Sequence, residues 1–194
     1  MLPENIIFFA IFLNLIGLIF YIKNMVQGHA KPNLASWIPW MLAPFIGVFF
    51  QLKAGASLSV LPVFMAGFGP FIIIFFALIT KNTIWKMKRF DILCGIISLV
   101  ALLIYLLTYN LEISIILAIL SDGLATMPTY VKAWKFPKTE NSTIYITSVL
   151  SNIIALLIIK NYIFTIYSFS LYLLIASGIM VIIIHRKKIL FSYN

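Results

Sequence analysis

Residues 58–80 have the sequence LSVLPVFMAGFGPFIIIFFALIT and contain no charged side chain. A helix needs about 20 apolar residues to cross the hydrocarbon core of a bilayer, so this stretch is long enough to span it. Two similar segments precede it in the sequence and four follow it. The sequence therefore predicts an all-α membrane protein with seven transmembrane helices. The six other predicted spans are Ile6–Ile22, Leu34–Leu52, Ile92–Thr108, Ile113–Tyr130, Ile144–Ile159 and Tyr162–Ile184.

The composition excludes a soluble protein of this size. Of the 194 residues, 63% are hydrophobic and 10% are charged, whereas a soluble domain carries roughly 25% charged residues. The net charge of +9 does not indicate nucleic-acid binding, because the basic residues form short clusters between apolar segments. The single cysteine, Cys94, excludes an intramolecular disulfide. No spacing of metal ligands is present, and we expect neither a metal nor a cofactor.

The basic residues predict the orientation of the spans. If seven spans alternate in direction, all 14 lysine and arginine residues except Lys53 and Lys160 fall on one side. Loops rich in lysine and arginine face the cytoplasm, so we expect the N-terminus outside and the C-terminus in the cytoplasm. The residues assigned to the cytoplasmic side are Lys23, Lys31, Lys81, Lys86, Lys88, Arg89, Lys132, Lys135, Lys138, Arg186, Lys187 and Lys188.

Two compositional features refine this prediction. Lysine outnumbers arginine and isoleucine is abundant, which favours a bacterial origin and hence the cytoplasmic (inner) membrane. Trp37, Trp85 and Trp134 fall at the cytoplasmic ends of predicted spans. Indole rings are enriched at membrane–water interfaces, so we expect these three residues to be interfacial anchors.

A weak internal repeat divides the chain into two three-helix units and a linker. An offset of 108 residues aligns Ile38–Leu52 with Ile146–Lys160, and Gly69-Pro70 with Ser177-Gly178. Helix-disturbing residues thus recur at the same depth in both halves, as they do around the substrate sites of many transporters. We predict a first unit at 1–80, a linker helix at 81–110 and a second unit at 111–194, in a 3+1+3 arrangement.

The most informative single residue is Asp122, which lies near the middle of the fifth predicted span. A charged side chain at the bilayer centre costs roughly 2.5–3.5 kcal/mol on insertion scales, so some interaction must offset it. The functional interpretation is a site that couples to a proton or cation, or that binds a polar solute. The alternative is a structural acid bonded to a neighbouring helix.

Other polar residues lie at a similar depth and complete the candidate binding site. Asn14 lies in the first span, and Trp40 lies one turn deeper than Trp37. Ser148 and Asn152 are four residues apart in the sixth span and so share a helix face. We predict that Asn14, Trp40, Asp122, Ser148 and Asn152 bind substrate, although either asparagine could instead join neighbouring helices.

Proline and glycine residues mark candidate hinges or gates. Pro70, Pro128 and Gly178 are assigned this role. The alternative is tight helix packing for Pro70 and Gly178, and a plain helix end for Pro128. Glu140 and Lys132 lie close together in the sequence, at the predicted cytoplasmic side. They form either a solvated ion pair in a loop or a latch that closes a cytoplasmic gate.

Two sets of loop residues resemble the signature of SWEET and PQ-loop proteins. The second half has Pro128-Thr129-x-x-Lys132, then Lys138-Thr139-Glu140-Asn141, Tyr145 and Asn152; the first has Tyr21-x-Lys23 and Lys31-Pro32-Asn33-x-x-Ser36-Trp37. The KPN-x-x-SW and TEN loops also resemble those of a group of bacterial membrane proteins. Both halves lack the Pro-Gln dipeptide. The resemblance implies seven spans arranged 3+1+3 and transport of a small solute by alternating access.

These features predict a small-solute membrane transporter or facilitator, coupled to protons through Asp122. The alternative is a membrane scaffold or receptor-like protein that transports nothing. We do not predict an enzyme, because the spans hold one central acid, no central histidine, and Cys94 without a visible partner. The expected partners are a small solute and the lipid bilayer, with no nucleic acid. A homo-oligomer is a further expectation, since such small transporters often work as two copies.

Overall fold

The computed structural model describes residues 3–80, 84–107 and 110–191. Seven α-helices, and no strands, are present in this part of the chain, which confirms the predicted all-α class. Short 3₁₀ turns precede α1 and α3 and lie between α5 and α6. The helices are α1 (Ile7–Val26), α2 (Leu34–Lys53), α3 (Leu61–Thr80), α4 (Arg89–Leu107), α5 (Leu111–Lys135), α6 (Ser142–Ile158) and α7 (Phe164–Phe191).

Loop residues determine where the helices begin and end. Asn33, Asn110 and Asn141 precede α2, α5 and α6, and each side chain accepts a hydrogen bond from a backbone N–H of the first turn. Such caps satisfy donors that have no partner inside the helix. Gly28 and Gly55 follow α1 and α2 with φ of 75° and 89°, a conformation that ends helices and favours glycine.

Five helical segments are long and apolar enough to cross a membrane: Glu4–Val26, Leu34–Lys53, Leu58–Thr80, Leu111–Lys135 and Phe164–Arg186. Large apolar side chains on their outer faces remain exposed, among them Phe8, Phe12 and Ile19. These features indicate a multi-pass membrane protein. The α6 helix is apolar but has 17 residues, and α4 is not among these five segments. For α4 and α6, the expectation of a span therefore rests on the sequence.

The helices pack in two corresponding sets. The α3 helix packs against both α1 and α2, and α7 packs against both α5 and α6. Across the middle, α1 packs along α6 and α2 packs along α5, while α4 lies against α5 and α2. The α1–α6 contact is close at Gly17, where an added Cβ would lie 2.1 Å from Thr147 Oγ1. The predicted linker helix begins at Lys81, and residues 81–83 lie outside the described residues. It ends at 110, next to residues 108–109, which lie outside them too.

The three candidate hinge residues lie inside continuous helices. Helix α3 runs through Pro70, α5 through Pro128 and α7 through Gly178, so none of them ends its helix. A proline removes one backbone hydrogen bond of the helix. Tight packing does not explain Gly178, because an added Cβ there would meet no atom within 4 Å.

Candidate functional site

A cavity of about 110 Å³ lies in the middle of the helix bundle. Residues of α1, α2, α3, α5, α6 and α7 line it, and none of the described side chains of α4 does. A buried water needs roughly 10–15 Å³ of such volume, so the cavity has room for several waters or a small solute. Its polar and aromatic lining residues are Asn14, Trp37, Trp40, Asp122, Thr126, Tyr130, Tyr145, Ser148 and Ser177.

The cavity brings together most of the residues that the sequence analysis singled out. Four of the five predicted substrate-binding residues line it, namely Asn14, Trp40, Asp122 and Ser148, and so does the candidate hinge Pro70. Asn152, Pro128 and Gly178 are not among the lining residues. Asn152 is buried, and its Nδ2 donates to the Ser148 carbonyl at 2.9 Å.

Asp122 lies on the wall formed by α5 and is held there by neutral groups. Its Oδ2 accepts a hydrogen bond of 2.8 Å from the Tyr172 hydroxyl on α7. Thr126 donates to the Asp122 carbonyl at 2.8 Å and accepts from the Trp40 indole at 3.0 Å. Trp40 of α2 is therefore tied to the same turn of α5 as the carboxylate.

Tyr172 and Thr126 were not predicted from the sequence. Both are polar residues within apolar segments, and that is the signal that could have found them. Position along the span does not show that Tyr172 faces α5, however, because the direction of a side chain depends on how its helix is rotated in the bundle.

Polar residues of α1, α6 and α7 form a second set of hydrogen bonds beside the cavity. Ser151 donates to Asn14 Oδ1 at 3.2 Å, and Ser177 donates to Ser148 Oγ at 2.9 Å. These bonds join three helices. Asn14 therefore makes an interhelical hydrogen bond, which was the alternative to substrate binding. Its side chain also lines the cavity.

A buried ion pair between Lys132 and Glu140 lies at one end of the bundle. Their side chains are 1% and 0% exposed, so the interpretation as a solvated loop pair was wrong. Lys132 also donates to the Lys31 carbonyl, and Tyr145 donates to Glu140 Oε2 at 3.0 Å. Tyr145 lines the cavity as well, and it therefore connects the ion pair to the cavity.

Two of the three tryptophans that we expected as interfacial anchors differ sharply in their surroundings. Trp134 is 57% exposed, whereas Trp37 is 2% exposed. The Trp37 ring packs against Tyr21 and Trp40, with ring centroids 4.9 and 5.3 Å apart. The expectation of an interfacial anchor was therefore wrong for Trp37, which belongs to the cavity wall.

Within the described ranges, no group of three or more histidine, cysteine, aspartate or glutamate side chains could hold a metal ion. No protein-family model, curated protein or solved structure matches the chain. The cavity and its side chains are thus the basis for a functional assignment.

Proposed function

We propose that this protein is a small-solute transporter or facilitator of the SWEET/PQ-loop type that works by alternating access. The observation that carries the proposal is the central cavity, which reaches Asp122 and is lined by six of the seven helices. A solute bound there would contact both halves of the chain. Movement of the halves relative to one another would then change access to the solute.

The packing of the helices supports two three-helix units. In each proposed unit, α1–α3 and α5–α7, the third helix contacts the other two, and the first helix of each unit packs along the second helix of the other. The α4 helix packs against α5 and α2, and none of its described side chains lines the cavity, as expected of a linker. The proposal places seven spans in the bacterial inner membrane, with the N-terminus outside.

The Lys132–Glu140 pair is the proposed cytoplasmic latch in this arrangement. It joins the end of α5, the α5–α6 connection and, through the Lys31 carbonyl, the α1–α2 connection. Access from the cytoplasm requires this pair to separate. Pro70, Pro128 and Gly178 are the proposed hinges. Each lies inside a helix, where the prolines remove a backbone hydrogen bond and the glycine has no close neighbour, so each helix could bend there.

Asp122 is the proposed coupling residue. The titratable groups that face it are phenols: Tyr172 from α7 and Tyr130 from α5 itself. The α2 helix presents Trp40, and α4 presents Ser98 to the adjacent Ser121. A proton or a cationic solute can therefore neutralise the carboxylate without competition from a lysine or arginine among the residues that line the cavity.

The alternative function is a scaffold or receptor-like protein, and one observation favours it. The bonds of Asn14 with Ser151 and of Ser148 with Ser177 are made within the protein, so these groups need no solute to satisfy them. A scaffold needs no cavity, however, and the open space beside Asp122 favours transport.

The test measures both binding and transport. Purified protein is screened for thermal stabilisation by sugars, amino acids, nucleosides and organic ions, and stabilising solutes are then followed into proteoliposomes with and without a pH gradient. We expect uptake that responds to the gradient in the wild type and loses this response in Asp122→Asn. Glu112→Gln, which alters an exposed carboxylate on the same helix, is the matched control.

A flat response to the whole panel, with Asp122→Asn as stable as the wild type, would transfer the assignment to the scaffold. We also propose a homo-oligomer, and the number of protein chains in each particle is measured on the same preparation by light scattering.

A further inference from the structure

Among the residues that line the cavity in the described part of the chain, Asp122 has the one charged side chain. The nearer of the two lysines on the same helix, Lys132, lies ten residues away, or about 15 Å along the helix axis. It is buried in its pair with Glu140. A solute in the cavity therefore meets a carboxylate that has no counter-ion in the cavity wall.

Most of the other polar side chains of the wall are engaged within the protein, although the Trp37 indole N–H is buried without a hydrogen-bond partner. The Trp40 indole donates to Thr126, the Tyr130 hydroxyl donates to the Ala176 carbonyl and the Tyr145 hydroxyl donates to Glu140. Ser148 and Ser177 bond to each other. A polyhydroxylated solute would lose its hydration here and gain few hydrogen bonds, and unpaired buried polar groups are costly.

The remaining wall is aromatic and apolar. Trp37, Trp40, Tyr130 and Tyr145 line the cavity together with aliphatic side chains. Aromatic faces attract alkylated ammonium groups through cation–π interactions, and these interactions are stronger where water is excluded. A carboxylate among aromatic rings suits a compact positive charge with an apolar surface.

We propose that the solute of this cavity is a small organic monocation, such as an alkylated ammonium ion, with Asp122 as its counter-ion. This inference rests on the proposed function and names the class of solute that it transports. Anions and zwitterions are disfavoured, because their carboxylate would enter a cavity whose wall holds a negative charge and no cation. Sugars are disfavoured because most of the wall's hydrogen-bonding side chains, those of Trp40, Tyr130, Tyr145, Ser148 and Ser177, are already bonded within the protein.

The test compares three solutes of similar shape and different charge. Choline is a cation, 3,3-dimethyl-1-butanol is its neutral isostere, and glycine betaine carries the same ammonium group plus a carboxylate. Binding to the full-length protein in detergent is measured by calorimetry, and thermal stabilisation serves as a second readout. We expect choline to bind at least about tenfold more tightly than either analogue, since it alone gains both the ion pair and the cation–π contacts.

Three variants test the role of the carboxylate and the ring. Asp122→Asn should abolish the preference for choline over its neutral isostere, and Asp122→Glu should retain part of it. Trp40→Leu should weaken choline binding about tenfold and leave the isostere nearly unchanged. Trp134→Leu, at an exposed position, is the control. Thermal unfolding of each variant without solute shows whether it is folded.

The outcomes separate this inference from the proposed function. Equal binding of choline and its isostere, or an undiminished preference in folded Asp122→Asn, would overturn the cation assignment. Stabilisation by a sugar or a zwitterion, with uptake into proteoliposomes, would also overturn it but leave the transporter standing. Failure of every solute in the wider panel would overturn both.

Discussion

Among the buried carboxylates of the described residues, Glu140 and Asp122 lie in opposite electrostatic surroundings. Glu140 is paired with Lys132 and also accepts a hydrogen bond from Tyr145. Asp122 is 3% exposed and accepts a hydrogen bond from neutral Tyr172. The first carboxylate is neutralised by the protein, and the second is left for something else to neutralise. Burial alone therefore does not distinguish a structural acid from a binding acid, whereas the partners of each acid do.

The largest effect on stability is expected at the Lys132–Glu140 pair. Removal of one partner of a buried ion pair leaves the other charge uncompensated and costs about 3–5 kcal/mol. Glu140→Ala should therefore lower the free energy of unfolding by this amount, measured by denaturant titration in mixed micelles. Lys138→Ala, at an exposed position of the same connection, is the control.

A double variant separates the charge from the packing at this pair. Replacement of both partners by apolar residues is often neutral or stabilising, so Lys132→Met combined with Glu140→Leu should recover most of the lost stability. A double variant as unstable as Glu140→Ala would contradict the view that the unpaired charge dominates. If the pair is also the latch, the double variant should transport with altered access from the cytoplasmic side.

An intermediate effect is expected at Tyr172. Tyr172→Phe removes the hydroxyl that donates to Asp122 at 2.8 Å. A buried group left without its partner costs about 1–3 kcal/mol of stability. Unfolding of the variant in mixed micelles should therefore occur at a lower denaturant concentration. Tyr167→Phe on the same helix is the matched control. Equal stability of both variants would mean that Tyr172 does not hold the carboxylate.

The smallest effect on stability is expected at Asp122 itself. Asp122→Asn keeps a side-chain oxygen that can accept from Tyr172 and removes the charge, so the free energy of unfolding should change by less than about 1 kcal/mol or rise. The preference for a cationic solute should nevertheless be lost. Destabilisation as large as that of Glu140→Ala would remove the distinction between the two carboxylates and assign a structural role to both.

The sequence predicted how deep in the bundle the candidate site lies better than it predicted which residues line the site. Asn14, Trp40, Asp122 and Ser148 were chosen because polar side chains are costly in the middle of a span, and all four line the cavity. Asn152 shares a helix face with Ser148, yet it bonds back to Ser148 and lies outside the lining. Trp37 was assigned to the interface because indole rings are enriched there, and Tyr172 was missed because its position along the span does not show which helix its side chain faces.

The sequence by itself determined the class of protein. So few charged residues cannot cover a water-soluble domain, and the length of the apolar segments requires helices in lipid. The asparagine caps and the glycines after α1 and α2 likewise follow from local backbone chemistry, which depends on a few neighbouring residues.

Only the tertiary structure decided which side chains meet. The Lys132–Glu140 pair is buried because the α1–α2 connection lies over it, and Tyr172 reaches Asp122 because α7 packs against α5. Each contact depends on the rotation of one helix relative to another. That rotation is set by the summed packing of many apolar side chains, and no local pattern in the sequence records it.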